Sequence, residues 1–166
     1  MSDSVLVELI RGKGAFTDAV ACVSGLDASQ AGTRAGAPCS VFELVFHMNY
    51  WMHYELQRID GRSPVYPEHA AEGWPGRAEP ESEGAWQAVG ARFASLLERM
   101  TVLARDPQAL ERPVEVTKIA SYANQGSSVR DVIWQTLVHN AYHVGQVASV
   151  RRMIGAWPPA GGGDTW

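Results

Sequence analysis

The chain has 166 residues, of which 46% are hydrophobic and 19% are charged, a balance that excludes an intrinsically disordered protein and predicts a single domain. Its formal net charge is −4, and no basic cluster is interleaved with aromatic residues, so we expect no nucleic-acid partner. Polar residues interrupt every long apolar stretch, and we therefore expect no membrane-spanning segment.

The cysteines and the N-terminal residues indicate the cellular compartment. Cys22 and Cys39 are the only two cysteines and form no CxxC motif, so a disulfide framework is not expected. The N-terminus lacks the basic-then-apolar pattern of a secretory signal. We therefore predict a cytoplasmic protein.

Residues 4–23 carry apolar side chains at helical spacing and form the first predicted helix. Gly12 and Gly14 interrupt the pattern, and a glycine inside a helix costs about 1 kcal/mol relative to alanine. We expect this helix to be kinked or divided into two pieces. Residues 25–38 are rich in alanine, glycine and serine, and they predict a connector with little regular structure.

The second predicted helix, residues 41–60, is the most apolar of the chain. Ser40 and Glu43 have the spacing of a capping box, in which each side chain bonds the backbone N–H of the other residue. Because this helix is apolar on nearly all sides, we expect it to be buried between neighbours or covered by a second subunit.

A long irregular connection follows over residues 61–81, and it contains Tyr66, His69 and Trp74. Long ordered loops in compact domains often act as lids or binding loops. The length of this connection also allows a crossover between the second and third helices instead of a tight hairpin.

The third predicted helix covers residues 82–104, and the fourth covers residues 128–155 after a second capping box, Ser128 with Asp131. Residues 113–126 between them are consistent with a short extended piece. Four helical segments predict an all-α fold, a four-helix bundle.

We place the metal-binding four-helix-bundle domain at residues 1–156 and a Gly/Pro-rich C-terminal tail at residues 157–166. Trp157, Asp164 and Trp166 in the tail have three open interpretations: they fold back over the bundle, grip a partner chain, or belong to a frayed end.

Three polar side chains of the fourth helix lie on one narrow strip. His139, His143 and Gln146 align at about 100° per residue, next to an apolar stripe, so they should face the interior or a cleft. Two imidazoles four residues apart can bind one metal ion, because side chains at i and i+4 stack on the same side.

A third ligand could come from His47, His53 or His69. His47 and His53 point about 120° apart around the second helix, so they cannot both serve one interior site. His69 lies in the long connection, where any geometry is open. We favour His47. Three imidazoles with one position open to solvent are typical of a catalytic ion, and imidazole suits zinc, nickel, copper and iron.

Two stretches, SVFELVFHMNYW and HNAYHVGQVASVRRMIGAWPP, resemble the DinB/YfiT-like superfamily. The resemblance implies that one divalent transition metal is bound inside a four-helix bundle by His47, His139 and His143. Gly145 and Gln146 continue the motif after the last histidine. It further implies a homodimer, as in many members, and a low-molecular-weight thiol that the metal holds as thiolate. We predict zinc or nickel as the metal. Characterised relatives include thiol-dependent transferases and isomerases, and others are described as metal-dependent hydrolases.

Three further side chains have both a functional and a structural interpretation. Glu43 can be a metal ligand, an acceptor for a ligand, or only a capping residue. Gln146 can orient a ligand, contact substrate, or bond a neighbouring helix. Trp51, like the adjacent Tyr50, is either a packing residue or a platform for substrate.

We therefore predict a metal-dependent enzyme with a small-molecule substrate, either a thiol S-transferase or a hydrolase. The nucleophile is a metal-bound thiolate in the first case and metal-bound water in the second. Two alternatives are a non-catalytic protein in which the metal joins two helices and a metal-free, dimeric helical module.

Overall fold

The computed structural model describes residues 4–12, 14–115, 128–160 and 162 of the chain. These residues form seven α-helices and no strand: α1 (Ser4–Ile10), α2 (Ala19–Val23), α3 (Ala28–Gly32), α4 (Val41–Ile59), α5 (Glu83–Arg105), α6 (Pro107–Leu110) and α7 (Val129–Met153). A short 3₁₀ helix, Ala70–Gly73, lies between α4 and α5. The prediction of an all-α fold is confirmed, whereas the four-helix-bundle topology and the crossover stay predictions.

The two predicted capping boxes start the two helices on which the rest of the fold depends. Ser40 accepts a hydrogen bond from the backbone of Glu43, and the Glu43 side chain bonds back to Ser40 N. Ser128 and Asp131 do the same at α7. Each box satisfies backbone N–H groups that the first helical turn leaves without partners.

The first predicted helix is divided into α1 and α2, and Gly12 lies in the break. Gly12 has a φ of +86°, and a Cβ there would come within 2.6 Å of a ring carbon of Phe16. Since only glycine adopts this backbone conformation readily in so little space, the chain has to leave the helix at this point.

The predicted irregular connector at residues 25–38 is wrong in part, because it contains α3. Asp27 accepts a hydrogen bond from Gln30 N at 2.8 Å, and Gln30 accepts one from Asp27 N at 3.1 Å. This capping box and the burial of Ala31 stabilise a helical turn in a stretch with low helix propensity.

A further short helix, α6, was not predicted. The chain leaves α5 at Asp106, whose carboxylate accepts a hydrogen bond from Gln108 N at 2.9 Å. Pro107 then occupies the first helical turn, where its missing N–H has no cost. The proline that ends one helix therefore begins another.

Helix α4 lies at the centre of the fold and packs against both α5 and α7. Val41, Val45, Met48, Met52 and Leu56 are fully buried along it. Neighbouring helices of the same chain therefore cover this apolar helix, as one of the two expected arrangements requires. Helices α1 and α2 pack against α5 and α7 and close the other side of the core.

The end of α7 is attached to α2 by a buried cation. Arg151 is 2% exposed and donates hydrogen bonds to the carbonyl oxygens of Cys22, Ser24 and Ala156. Beyond it, Trp157 packs against the core. Asp164, Trp166 and residues 116–127, which include most of the predicted extended piece, lie outside the described residues.

None of the helices within the described ranges combines the length and the hydropathy that a bilayer span requires.

Candidate metal centre

Three histidine side chains from two helices meet at one point. Nε2 of His139 is the central atom: it lies 3.2 Å from Nε2 of His47 on α4 and 3.1 Å from Nε2 of His143. His139 and His143 occupy successive turns of α7 and therefore point the same way. The packing of α4 against α7 supplies the third ring.

The other two histidines lie elsewhere. His53 is half-buried and its Nε2 accepts a hydrogen bond from Gln57 Nε2 at 3.1 Å, one turn further along α4. His69 is exposed and precedes the 3₁₀ helix. The group of possible metal ligands in the described residues consists of His47, His139 and His143.

Hydrogen bonds at the far side of two rings fix which nitrogen carries the proton. Nδ1 of His47 lies 3.1 Å from the carbonyl oxygen of Gly73, and Nδ1 of His143 lies 2.6 Å from Oε1 of Gln146. Because a carbonyl oxygen can only accept, both Nδ1 atoms donate. Nε2 of both rings therefore presents a lone pair to the meeting point.

This arrangement fits a metal ion better than it fits hydrogen bonding. One proton on Nε2 of His139 cannot make two good hydrogen bonds to the lone pairs of His47 and His143, whereas a cation accepts all three lone pairs. The Nε2 separations of 3.1 and 3.2 Å are also close to ligand spacing. Two imidazoles on tetrahedral zinc lie about 3.3 Å apart, given metal–nitrogen bonds of about 2.0–2.1 Å.

Burial keeps the three imidazoles neutral. It lowers the pKa of His47 to about 4, although the Gly73 carbonyl opposes the shift. It lowers the pKa of His139 to about 4 as well, with a further contribution from the charges of His143 and His47. The pKa of His143 is also lowered by burial, against the effect of Gln146. Neutral imidazole is the form that binds metal.

Trp74, a residue of the long connection, lies against the histidines, although no sequence pattern predicts this role for it. The ring of Trp74 stacks on His47, with centroids 3.9 Å apart and planes 11° apart, and its edge faces His143 at 6.2 Å. Gly73 lies beside the ring of His47, since a Cβ on Gly73 would be 3.4 Å from Nδ1 of His47. The connection therefore covers one side of the histidines.

Comparison with known families agrees with this geometry. Residues 13–156 match the family described as mycothiol-S-transferase. The chain belongs to the mycothiol-S-transferase family. This membership confirms the resemblance to the DinB/YfiT-like superfamily. Searches among curated proteins and among solved structures each returned no match.

Glu43, one of the side chains with two interpretations, is used away from the histidines in this mycothiol-S-transferase family member. Both of its carboxylate oxygens accept hydrogen bonds from Arg34, and one also accepts from Ser40 N. Burial raises the pKa of Glu43, but the bonds from Arg34 and Ser40 outweigh it and hold the pKa below its usual value. Its capping role is confirmed.

Gln146 and Trp51 both lie next to the ligand group. Gln146 orients His143 through its oxygen, and its amide donates to the hydroxyl of Tyr142 at 3.3 Å. Trp51 is half-buried, with its ring edge-on to His47 at 6.4 Å and 5.7 Å from Tyr66. Trp51 therefore packs between the histidine and the long connection.

Tyr142 is a neighbour of the centre that the sequence reasoning missed. Its ring centroid lies 5.0 Å from that of His143, and the side chain is 66% exposed. Val144, on the other side of His143 in the sequence, is fully buried, so the contact to this ring comes from the preceding residue. The signal was available in the YH pair of the sequence.

Proposed function

We propose that this chain is a thiol-dependent S-transferase that uses a divalent metal ion held by His47, His139 and His143. The observation that carries the proposal is the convergence of three neutral imidazoles through Nε2 atoms 3.1 and 3.2 Å apart. The family match over residues 13–156 supports a thiol as the co-substrate, and we propose mycothiol for this role.

The reaction transfers the thiol sulfur to an electrophilic carbon. A bound divalent ion would lower the pKa of the thiol, so that the sulfur would be a thiolate nucleophile at neutral pH. The sulfur forms the new bond to carbon, the leaving group departs with the electron pair of the broken bond, and the thiol proton goes to solvent. Gly73 and Gln146 hold the Nδ1 protons of His47 and His143, which keeps Nε2 of each ring available.

The composition of the ligand group supports a catalytic ion over a purely structural one. Among the described residues, the ligand group contains three histidines and no cysteine, aspartate or glutamate. Glu43, the predicted candidate for a fourth ligand, has both oxygens bonded to Arg34. Three protein ligands leave room for a thiol or water, as catalytic zinc sites do.

Several finer features belong to the same proposal. We propose zinc or nickel as the metal, two of the ions that imidazole ligands suit. We also propose the four-helix-bundle topology of the superfamily with a crossover between α4 and α5, and a homodimer. The cytoplasmic location stays a prediction.

The test is an assay of metal-loaded protein with mycothiol and 1-chloro-2,4-dinitrobenzene, with ester cleavage measured in parallel. We expect His143→Ala to lower the metal-dependent transfer rate by about 100-fold or more, because it removes a ligand. His53→Ala, outside the centre on α4, is the control and should retain the wild-type rate.

Each other result assigns a different function. Ester cleavage without thiol transfer would identify a hydrolase. Stoichiometric metal with neither activity would indicate a structural ion that joins α4 to α7. Equal rates for wild type and His143→Ala would reject metal-dependent catalysis.

A further inference from the structure

A cavity of about 360 Å³ lies beside α7, and two of its lining residues, Tyr142 and Gln146, contact His143. Its walls are residues 36–39 of the connection before α4, Leu44 of α4, and the part of α7 from Tyr142 to Met153. This volume lies in the range of small-molecule sites, which is about 300–1,000 Å³.

The cavity and the ligand group share a hydrogen bond. Gln146 lines the cavity, accepts from Nδ1 of His143 at 2.6 Å and donates to the hydroxyl of Tyr142 at 3.3 Å. Tyr142 lines the cavity too, and its ring contacts that of His143. A molecule in this cavity would therefore be separated from the ring of His143 by one side chain, on the Nδ1 side of that ring.

The lining selects the chemistry of the occupant. None of the lining residues carries a charge, and the pKa of Cys39 is raised by burial, which keeps its thiol neutral. Leu44, Val150 and Met153 supply apolar surface, and the polar groups come from residues such as Gln146 and Ser149. Such a wall favours an uncharged apolar molecule over a polar or ionic one, because a buried charge needs a partner.

Gly145 leaves this wall open. It lies within α7 without a positive φ, and a Cβ added to it would meet no atom within 4 Å. Neither backbone conformation nor packing within the chain requires glycine at this position. Glycine also costs about 1 kcal/mol relative to alanine inside a helix. The absence of a side chain at Gly145 thus leaves the cavity larger and makes the helix less stable.

We infer that this cavity is the subsite for the apolar part of the electrophilic co-substrate, an uncharged alkyl or aryl electrophile. The inference rests on the proposed function, since it assigns the second substrate of the same centre. Gln146 and Tyr142 form the boundary between this subsite and the histidines.

Two glycine substitutions provide the test. Gly145→Leu places a side chain at this cavity. Gly90→Leu does the same in α5, where Gly90 lines a separate cavity of about 350 Å³ and an added Cβ also meets nothing within 4 Å. Both variants replace a glycine within a helix by leucine, so the change in helix propensity is matched.

Binding is measured by saturation-transfer NMR with 2,4-dinitrotoluene, an unreactive neutral aromatic probe. We expect wild type and Gly90→Leu to bind it equally, and Gly145→Leu to bind about tenfold more weakly, because the leucine takes its space. Ser149→Leu fills the same cavity one turn further along α7 and should match Gly145→Leu. It serves as the test if Gly145→Leu does not fold.

The kinetic counterpart is a rise of about tenfold in the KM for 1-chloro-2,4-dinitrobenzene with an unchanged KM for mycothiol and unchanged metal content. Equal probe binding by all variants, or none by wild type, overturns the inference. The NMR measurement needs neither thiol nor turnover. Binding in the expected pattern without any transfer overturns the proposed function and leaves the cavity as a binding site for uncharged aromatic molecules. Transfer by cavity variants that behave as wild type overturns the subsite assignment alone.

Discussion

The candidate metal centre has a helical wall, formed by α7 and α4, and a loop wall, formed by Gly73 and Trp74, and the two hold the histidines in different ways. On the helical side, His139 and His143 share α7 with residues such as Val144 and Val147, which are fully buried in the core. On the loop side, Gly73 and Trp74 contact the ring of His47 by one hydrogen bond and one stacked contact, and Trp74 also lies edge-on to His143 at 6.2 Å.

The helical wall therefore sets the positions of the histidines, whereas the loop wall adjusts the basicity of His47. The positions of the two α7 ligands follow from core packing, so moving them requires unpacking α4 from α7. The loop wall fixes the tautomer and burial of His47, which adjust its basicity and leave its position on α4 unchanged. We therefore expect changes on the helical wall to have larger effects than changes on the loop wall.

The largest effect is expected from His139→Ala, which removes the imidazole between the other two. Metal affinity should fall by about 100-fold or more, because two remaining ligands form an incomplete site. Elemental analysis after dialysis and competition with a chelator measure it. His53→Ala is the matched control, and equal metal retention by both variants would refute the assignment of the centre.

Acid should destabilise the metal-free protein as the next largest effect. The pKa values of His47 and His139 are about 4 in the fold, below the ordinary value of 6.5. Between pH 6.5 and 4 the unfolded chain therefore binds more protons than the folded protein. The stability from these groups is fully present above pH 6.5 and is lost as the pH falls to 4, on the order of a few kcal/mol.

Histidine NMR titrations and urea unfolding of chelator-treated protein check this expectation. Imidazole signals of His47 and His139 that titrate near 6.5 would show that the fold does not bury these two rings. Added metal should raise the unfolding midpoint at neutral pH and lose this effect in acid, since protons compete for the same nitrogens.

Gln146→Leu tests a side chain of α7 that orients His143 without being a metal ligand itself. Loss of its oxygen removes the acceptor for Nδ1 of His143, and metal affinity should fall by about 10–100-fold. Gln57→Leu removes the equivalent neighbour of His53 and should leave metal affinity unchanged. Similar losses in both variants would mean that helix stability, and not the orientation of His143, causes the effect.

Trp74→Ala tests the loop wall and should have the smallest effect. The stacked ring excludes water from His47, so its removal should weaken metal binding by only about tenfold or less. The NMR titration should show the pKa of His47 moving up toward 6.5, because burial is the main cause of its low value. Trp134→Ala, at an exposed position of α7, is the control.

A loss from Trp74→Ala as large as that from His139→Ala would break the distinction between the two walls. It would mean that the loop positions His47 as well as covering it.

The sequence alone determined the parts of the fold that depend on neighbouring residues. Ser40 with Glu43 and Ser128 with Asp131 fixed where α4 and α7 begin, because a capping box closes within one turn. The spacing of His139 and His143 placed both rings on one face for the same reason. The glycine that interrupts the first helix acts through its own backbone.

Only the tertiary structure decided which distant groups meet. It brought His47 and not His53 or His69 to the α7 pair, laid Trp74 on the ring of His47, and joined Glu43 to Arg34. These contacts depend on how the irregular segments between the helices run, and hydrophobic periodicity does not predict their course. Hydrogen bonds within a turn are encoded locally, whereas a stacked ring or a cavity wall exists only once separate segments have packed together.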